Sequence, residues 1–110
     1  MLRAIFHVDD YSLWPMVLKN VKNFVAAEPD STVEVLANGS AVVFYVIHQK
    51  ALGDAWQELA ARGVTFKACR NALNEHQMSE AALPASVVAV SSGVMELAKM
   101  QAEGYAYIRP

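Results

Sequence analysis

Cysteine is the scarcest reactive residue in this sequence, since the chain contains only Cys69. A single cysteine excludes an intrachain disulfide framework and a Cys-x-x-Cys redox pair. It also argues against a structural zinc site, which needs four ligands, because the only histidines, His7, His48 and His76, are dispersed along the chain. No metal or other cofactor is therefore predicted, and a reducing cytoplasm is the expected compartment.

Charge is scarce as well. Only 18% of the residues are charged, the formal net charge is −2, and the nine lysines and arginines are scattered singly. Without a basic patch, neither nucleic acid nor an anionic membrane is an expected partner. No apolar run approaches the roughly 18 residues of a transmembrane helix, and the first apolar run is too short and interrupted for a signal peptide.

Apolar residues, in contrast, are abundant. They make up 55% of the chain, against roughly 45–50% in an ordinary soluble domain. A length of 110 residues fits one domain, predicted to span residues 1–110. Because small domains bury a smaller share of their surface, the apolar excess predicts self-association into a homo-oligomer.

Strand-like and helix-like segments alternate along the whole chain. Strands rich in valine, isoleucine and aromatic residues are predicted over residues 2–8, 33–37, 64–68, 86–90 and 105–108. Residues 9–12 are predicted to form a loop, and an amphipathic helix follows it to about residue 27. Further helices are predicted over residues 50–62, 71–77 and 94–102. This alternation predicts an α/β layered domain with a mainly parallel sheet.

Residues 38–47 carry conflicting signals. The pair Asn38-Gly39 stands between two β-prone runs, which is the strongest short hairpin signal. The following residues, 41–47, are β-branched or aromatic almost throughout. Propensity alone therefore predicts a β-hairpin here.

Cys69 lies in the stretch FKACRNAL, at the predicted carboxyl end of a strand and just before a helix. Ligands of open α/β sheets bind beyond the carboxyl ends of the strands. A helix N-terminus favours the thiolate, the nucleophilic form of cysteine, and Arg70 would add positive charge if its side chain pointed the same way. The alternative, a small buried hydrophobic side chain, stays open.

Two cysteine chemistries fit the stretch poorly. A cysteine-phosphatase loop has arginine six residues after the cysteine, where this chain has Glu75. A rhodanese-type loop also begins Cys-Arg, but it needs glycines that this loop lacks. His7 ends the first predicted strand, so a Cys–His pair with Cys69 is one possibility and a hydrogen-bonded strand end is the other.

Several segments together resemble the DsrE/DsrF-like (YchN-like) family over essentially the whole chain. They are residues 6–10, 35–39, 64–73, 92–97 and 101–108, of which Ala-Cys-x-Asn-x-Leu and Gln-x-x-Gly-Tyr-Ala-Tyr-Ile are the most specific. The resemblance implies a three-layer α/β/α sandwich with a five-stranded, mainly parallel sheet, assembled as trimers or hexamers. It also implies a helix after Asn38-Gly39 in place of the hairpin.

The resemblance further implies a function for Cys69. In the best-understood members, the single cysteine carries sulfur as a persulfide between donor and acceptor proteins. The candidate binding residues around Cys69 are Asn38, Gly39, Arg70, Asn71, Ser92, Gly93 and His7. The chain departs from the family at Ser40 and Ser91, where proline is frequent.

Two functions of different kinds follow. The first is a sulfur-carrier or sulfurtransferase-like protein in an intracellular relay, with Cys69 as the sulfur acceptor. The second is a non-catalytic small-ligand-binding module or oligomeric scaffold of the same fold. Its glycine loops, Asn38-Gly39 and Ser92-Gly93, would offer backbone N–H groups to an anion. A metal-dependent or hydrolytic enzyme has little support, because the acidic residues are not clustered at ligand spacing.

Overall fold

The computed structural model describes residues 1–110. The strands are β1 (Arg3–Val8), β2 (Thr32–Ala37), β3 (Thr65–Cys69), β4 (Val87–Val90) and β5 (Ala106–Ile108). The α-helices are α1 (Trp14–Ala27), α2 (Lys50–Ala61), α3 (Arg70–Glu75) and α4 (Gly93–Ala102). Short 3-10 helices cover Tyr11–Leu13, Gly39–Tyr45 and Glu80–Ala82. None of the helices combines the length and apolar character needed to cross a bilayer.

The five strands form one sheet in the order β4-β3-β2-β1-β5, and every neighbouring pair is parallel. The predicted α/β fold with a five-stranded parallel sheet is therefore confirmed. The register pairs Val8 with Ala37, Ala37 with Ala68, and Cys69 with Val90. The carboxyl ends of β1 to β4 consequently meet at one edge of the sheet.

One face of the sheet carries most of the core. It packs against α1, α2 and the 3-10 helix Gly39–Tyr45, and a cluster of 23 buried residues fills this side. Trp14 stacks on Phe44 with ring centroids 4.4 Å apart, and its indole N–H donates to the carbonyl of Ala41 at 2.9 Å. Trp56 and Phe66 are also fully buried in this aromatic group.

The opposite face is covered by α4 alone. Its apolar cluster has four buried members, which are Ile5, Leu36, Leu97 and Met100. Val88 and Tyr107, which lie on this face by their register with Lys67 and Ile5, remain 48% and 39% exposed. The α/β/α sandwich thus has a thick layer, formed by α1, α2 and the 3-10 helix Gly39–Tyr45, and a thin layer, formed by α4.

The hairpin prediction for residues 38–47 is wrong, and the helical expectation from the family resemblance is right. Gly39 adopts a φ of +55°, and a Cβ there would come within 2.6 Å of the Asp9 carbonyl oxygen. The chain then turns into the 3-10 helix. Helical geometry buries Ala41, Phe44 and Tyr45 in one core, whereas a strand would direct successive side chains to opposite faces.

Candidate functional site

Cys69 ends β3 and precedes α3, as predicted, but its sulfur meets a different helix. The Sγ atom accepts a hydrogen bond from the backbone N–H of Gly93, the first residue of α4, at 3.2 Å. This follows from the register, because Cys69 pairs with Val90 and α4 begins three residues later. The side chain is buried, with 6% of its surface exposed. The expected assistance from the N-terminus of α3 is therefore replaced by that of α4.

Gly93 allows this close approach. A Cβ atom on Gly93 would lie 3.1 Å from the Cβ of Cys69 and 3.3 Å from the Cβ of Asn38. Both distances are shorter than an ordinary van der Waals contact. Ser92 caps the helix, since its hydroxyl oxygen accepts from the N–H of Met95 at 3.4 Å. The Ser92-Gly93 pair thus starts α4 directly against the cysteine.

An open depression of ≈ 260 Å³ lies over Cys69. It is lined by Asn38, Gly39, Cys69, Asn71, Ala72, Glu75, Ser92, Gly93 and Val94. Five of the residues predicted from the sequence to border Cys69 do so, and Glu75 is an additional carboxylate that sequence reasoning did not propose as a binding group. A groove of ≈ 290 Å³ lies between α1 and α2, but no cysteine, serine or histidine lines it.

Arg70 does not join this site. It does not line the depression, and its guanidinium pairs with Glu80, with Nη2 and Oε2 3.3 Å apart. The hydrogen bond with Glu80 raises the pKa of Arg70, and the same contact lowers the pKa of Glu80. The charge predicted to assist Cys69 is therefore neutralised by an acidic partner ten residues along the chain.

His7 does not pair with Cys69 either. Strand β2 lies between β1 and β3, which places the two side chains two strands apart. The imidazole instead contacts the hydroxyl of Tyr107 through Nδ1 at 2.7 Å and Oδ1 of Asn38 through Nε2 at 2.8 Å. The hydrogen-bonded strand end is the interpretation that the structure supports, and His7 reaches the depression only through Asn38.

A buried ionic bridge lies beneath α4 and was not predicted from the sequence. Lys67, two residues before Cys69 on the same face of β3, places Nζ 2.7 Å from Glu34 and 2.5 Å from Glu96. Burial disfavours its charge, but the hydrogen bonds that Nζ donates to both carboxylates outweigh burial and raise the pKa of Lys67. The bridge joins β2 and β3 to the first turns of α4. Its sequence signal is a lysine between the buried residues Phe66 and Ala68, since a buried lysine needs an acidic partner.

The fold and the site together define a class: a parallel α/β domain with one cysteine at the carboxyl edge of its sheet, facing a helix N-terminus. No group of three or more histidine, cysteine or acidic side chains in this chain is arranged to hold a metal ion. The one contact of the thiol with a hydrogen-bond donor is that with the Gly93 N–H.

Comparisons with known proteins agree with this class. The model of the DsrE/DsrF-like family matches residues 20–110, and the chain belongs to that family. MTH1491, a protein of unknown function from Methanobacterium thermoautotrophicum, is 34% identical over 100% of both chains, with a TM-score of 0.91. The YchN protein of E. coli is 17% identical over 100% of both chains, with a TM-score of 0.83, and supports the fold. No protein of curated function matches significantly.

Proposed function

We propose that this protein is a sulfur carrier in which Cys69 accepts and releases a sulfane sulfur. The family is generally implicated in sulfur relay, and the chain has a single cysteine to serve such a role. The observation that carries the proposal is the hydrogen bond from the Gly93 N–H to Sγ, at the floor of an open depression. A helix N-terminus directed at sulfur stabilises negative charge on a thiolate.

The transfer step needs no cofactor and no net oxidation. The Cys69 thiolate attacks the outer sulfur of a donor persulfide, R–S–SH, and forms a new sulfur–sulfur bond. The original sulfur–sulfur bond breaks, and its electron pair leaves with R–S⁻. The product, Cys69–S–SH, then loses its proton to water. An acceptor thiolate removes the sulfur by the same exchange in reverse.

Intact-mass measurement tests the proposal. Incubation with glutathione persulfide should add about 32 Da to the native protein, and dithiothreitol should remove the addition because persulfidation is reversible. Cys69→Ser is the control and should gain nothing. A wild-type protein that remains at its original mass after loading would contradict the sulfur-carrier function.

The second function, a small-ligand-binding module, has one observation in its favour: Cys69 is only 6% exposed, which limits attack on large donors. In that case the glycine loops, rather than the sulfur, bind the ligand. Binding of a small anion that Cys69→Ser leaves unchanged would support it.

The predicted assembly and partners belong to the same proposal. We expect a trimer or hexamer, together with donor and acceptor proteins in the cytoplasm. Exposed apolar side chains such as Val94 and Met95 on α4 agree with self-association. A gel-filtration mass near the 12.0 kDa of one chain would contradict it.

A further inference from the structure

A hydrogen-bonded chain of three side chains connects the edge of the sheet to the depression. His7 is buried, and each of its ring nitrogens has a partner: Nδ1 contacts the hydroxyl of Tyr107 at 2.7 Å, and Nε2 contacts Oδ1 of Asn38 at 2.8 Å. An amide oxygen can only accept, so Nε2 carries the hydrogen. Nδ1 of the neutral ring is then an acceptor, and Tyr107 donates to it.

This chain fixes the orientation of the Asn38 side chain. Asparagine is a preferred N-cap residue, and Asn38 occupies the N-cap position of the 3-10 helix, yet its side chain makes no capping hydrogen bond. Its oxygen is held by His7 instead. The amide nitrogen Nδ2 is therefore held on the other side of the same planar group.

Asn38 also stands next to the sulfur. Asn38, Cys69 and Val90 continue one row of side chains on the α4 face of the sheet, as the strand register shows. The Cβ atoms of Asn38 and Cys69 border the same space above Gly93, at 3.3 Å and 3.1 Å from the position of a Cβ there. Both residues line the depression.

We propose that the Asn38 amide Nδ2 donates a hydrogen bond to the outer sulfur of a persulfide on Cys69, and that His7 and Tyr107 are positioning residues that keep the amide in this orientation. This inference rests on the proposed sulfur-carrier function. When Cys69–S–SH loses its proton to water, the charge resides on the outer sulfur, one sulfur–sulfur bond away from the Sγ atom that accepts from the Gly93 N–H. A second donor is needed there, and hydrogen bonds to charged acceptors are the strong ones.

The first experiment measures the fraction of persulfidated protein at a fixed ratio of glutathione persulfide to glutathione. Asn38→Ala should lower the equilibrium constant for loading about tenfold, the loss expected for one hydrogen bond to a charged group. Because the Asn38 side chain caps nothing, this variant should fold. His7→Leu should lower loading similarly. His7→Gln keeps an N–H donor near the position of Nε2 and should recover most of it.

Two tyrosines provide a matched pair. Tyr107→Phe removes the donor to His7 and should lower loading about two- to threefold, since its effect on the amide is indirect. Tyr105→Phe is the control and should leave loading unchanged, because the Tyr105 ring packs near Arg3 and the small apolar cluster. Equal loading of Asn38→Ala, His7→Leu and Tyr105→Phe would overturn the positioning role while the sulfur-carrier function stands.

Nitrogen-15 NMR of the histidine side chain gives a readout that does not depend on sulfur chemistry. The unloaded wild-type protein should show the Nε2–H tautomer for His7, and Tyr107→Phe should change the Nδ1 shift. A wild-type Nδ1–H tautomer would overturn the inference whatever the loading. A wild-type protein that never gains the persulfide mass would overturn the proposed function together with this inference.

Discussion

The two faces of the sheet differ in both size and chemistry. The face beneath α1 and α2 has a continuous cluster of 23 buried residues that is almost entirely apolar. The face beneath α4 has four, and beside them lie His7 and the buried Lys67 bridge. Cys69 is a member of the larger cluster, but its thiol contacts the start of α4. We infer that apolar burial in the thick layer contributes most of the stability. This offsets the cost of burying polar groups in the thin layer.

The largest effect is expected from Trp14→Ala in the thick layer. The change leaves a cavity beside Phe44 and removes the donor to the Ala41 carbonyl, so the free energy of unfolding should fall by about 3–5 kcal/mol. Urea denaturation followed by circular dichroism measures it. Met16→Ala, at an exposed position of the same helix, is the control and should change stability by no more than about 0.5 kcal/mol. A smaller loss at Trp14 than at Met16 would refute the assignment of stability to this layer.

Lys67→Met should be the most destabilising change in the thin layer. It leaves Glu34 and Glu96, both largely shielded from solvent, without a cation, at a cost of about 3 kcal/mol. Adding Glu34→Gln and Glu96→Gln removes the unpaired charges and should restore part of the stability. If the triple variant were less stable than Lys67→Met by the same urea assay, unpaired charge would not be the cause.

The same bridge predicts a pH dependence. The pKa of Lys67 is raised in the folded protein, so the stabilisation is fully present below about pH 10.4, the ordinary lysine value. It is lost as the pH rises through the folded-state pKa. The difference in unfolding free energy between wild type and Lys67→Met should therefore shrink above that pH. A difference that stays constant at alkaline pH would contradict the coupling.

Gly93→Ala should have a smaller effect on stability and a specific effect on the site. The added methyl group presses on Cys69 and Leu36, which should cost about 1–2 kcal/mol and push α4 away from the sulfur. Iodoacetamide labelling of native Cys69, followed by mass spectrometry across a pH series, should show altered reactivity. Lys99→Ala, at an exposed position of the same helix that does not line the depression, should label like the wild type.

Arg70→Gln should have the smallest effect. The ion pair with Glu80 is solvent-exposed, and such pairs contribute little to stability. Both the unfolding midpoint and the labelling of Cys69 should match the wild type. A marked loss of Cys69 reactivity would restore Arg70 to the site and would show that α3 assists the thiol after all.

Local pattern predicted most of the fold. The strand boundaries agree within one or two residues, because alternating apolar runs and helix stops are local signals. Residues 39–45 were misread from propensity, since the burial of Phe44 and Tyr45 against Trp14 is a tertiary contact. The family resemblance corrected that segment where propensity did not.

The sequence predicted which residues belong to the site better than it predicted how they are arranged. Asn38, Ser92 and Gly93 were identified as neighbours of Cys69, but the sequence did not show which helix the sulfur meets. That depends on the pairing of β3 with β4, which only the strand order and register define. The partners of Lys67 were missed for the same reason: Glu34 and Glu96 are each about thirty residues away along the chain.

The contact between His7 and Tyr107 has a consequence for biosynthesis, because 100 residues separate its two partners along the chain. At a translation rate of about 5–20 residues per second, Tyr107 is synthesised about 5–20 s after His7. Until β5 leaves the ribosome and docks on β1, the Asn38 amide has no fixed orientation. The helices of the thick layer precede β5 in the sequence, so the hydrogen bonds that orient Asn38 beside Cys69 are among the last to be completed.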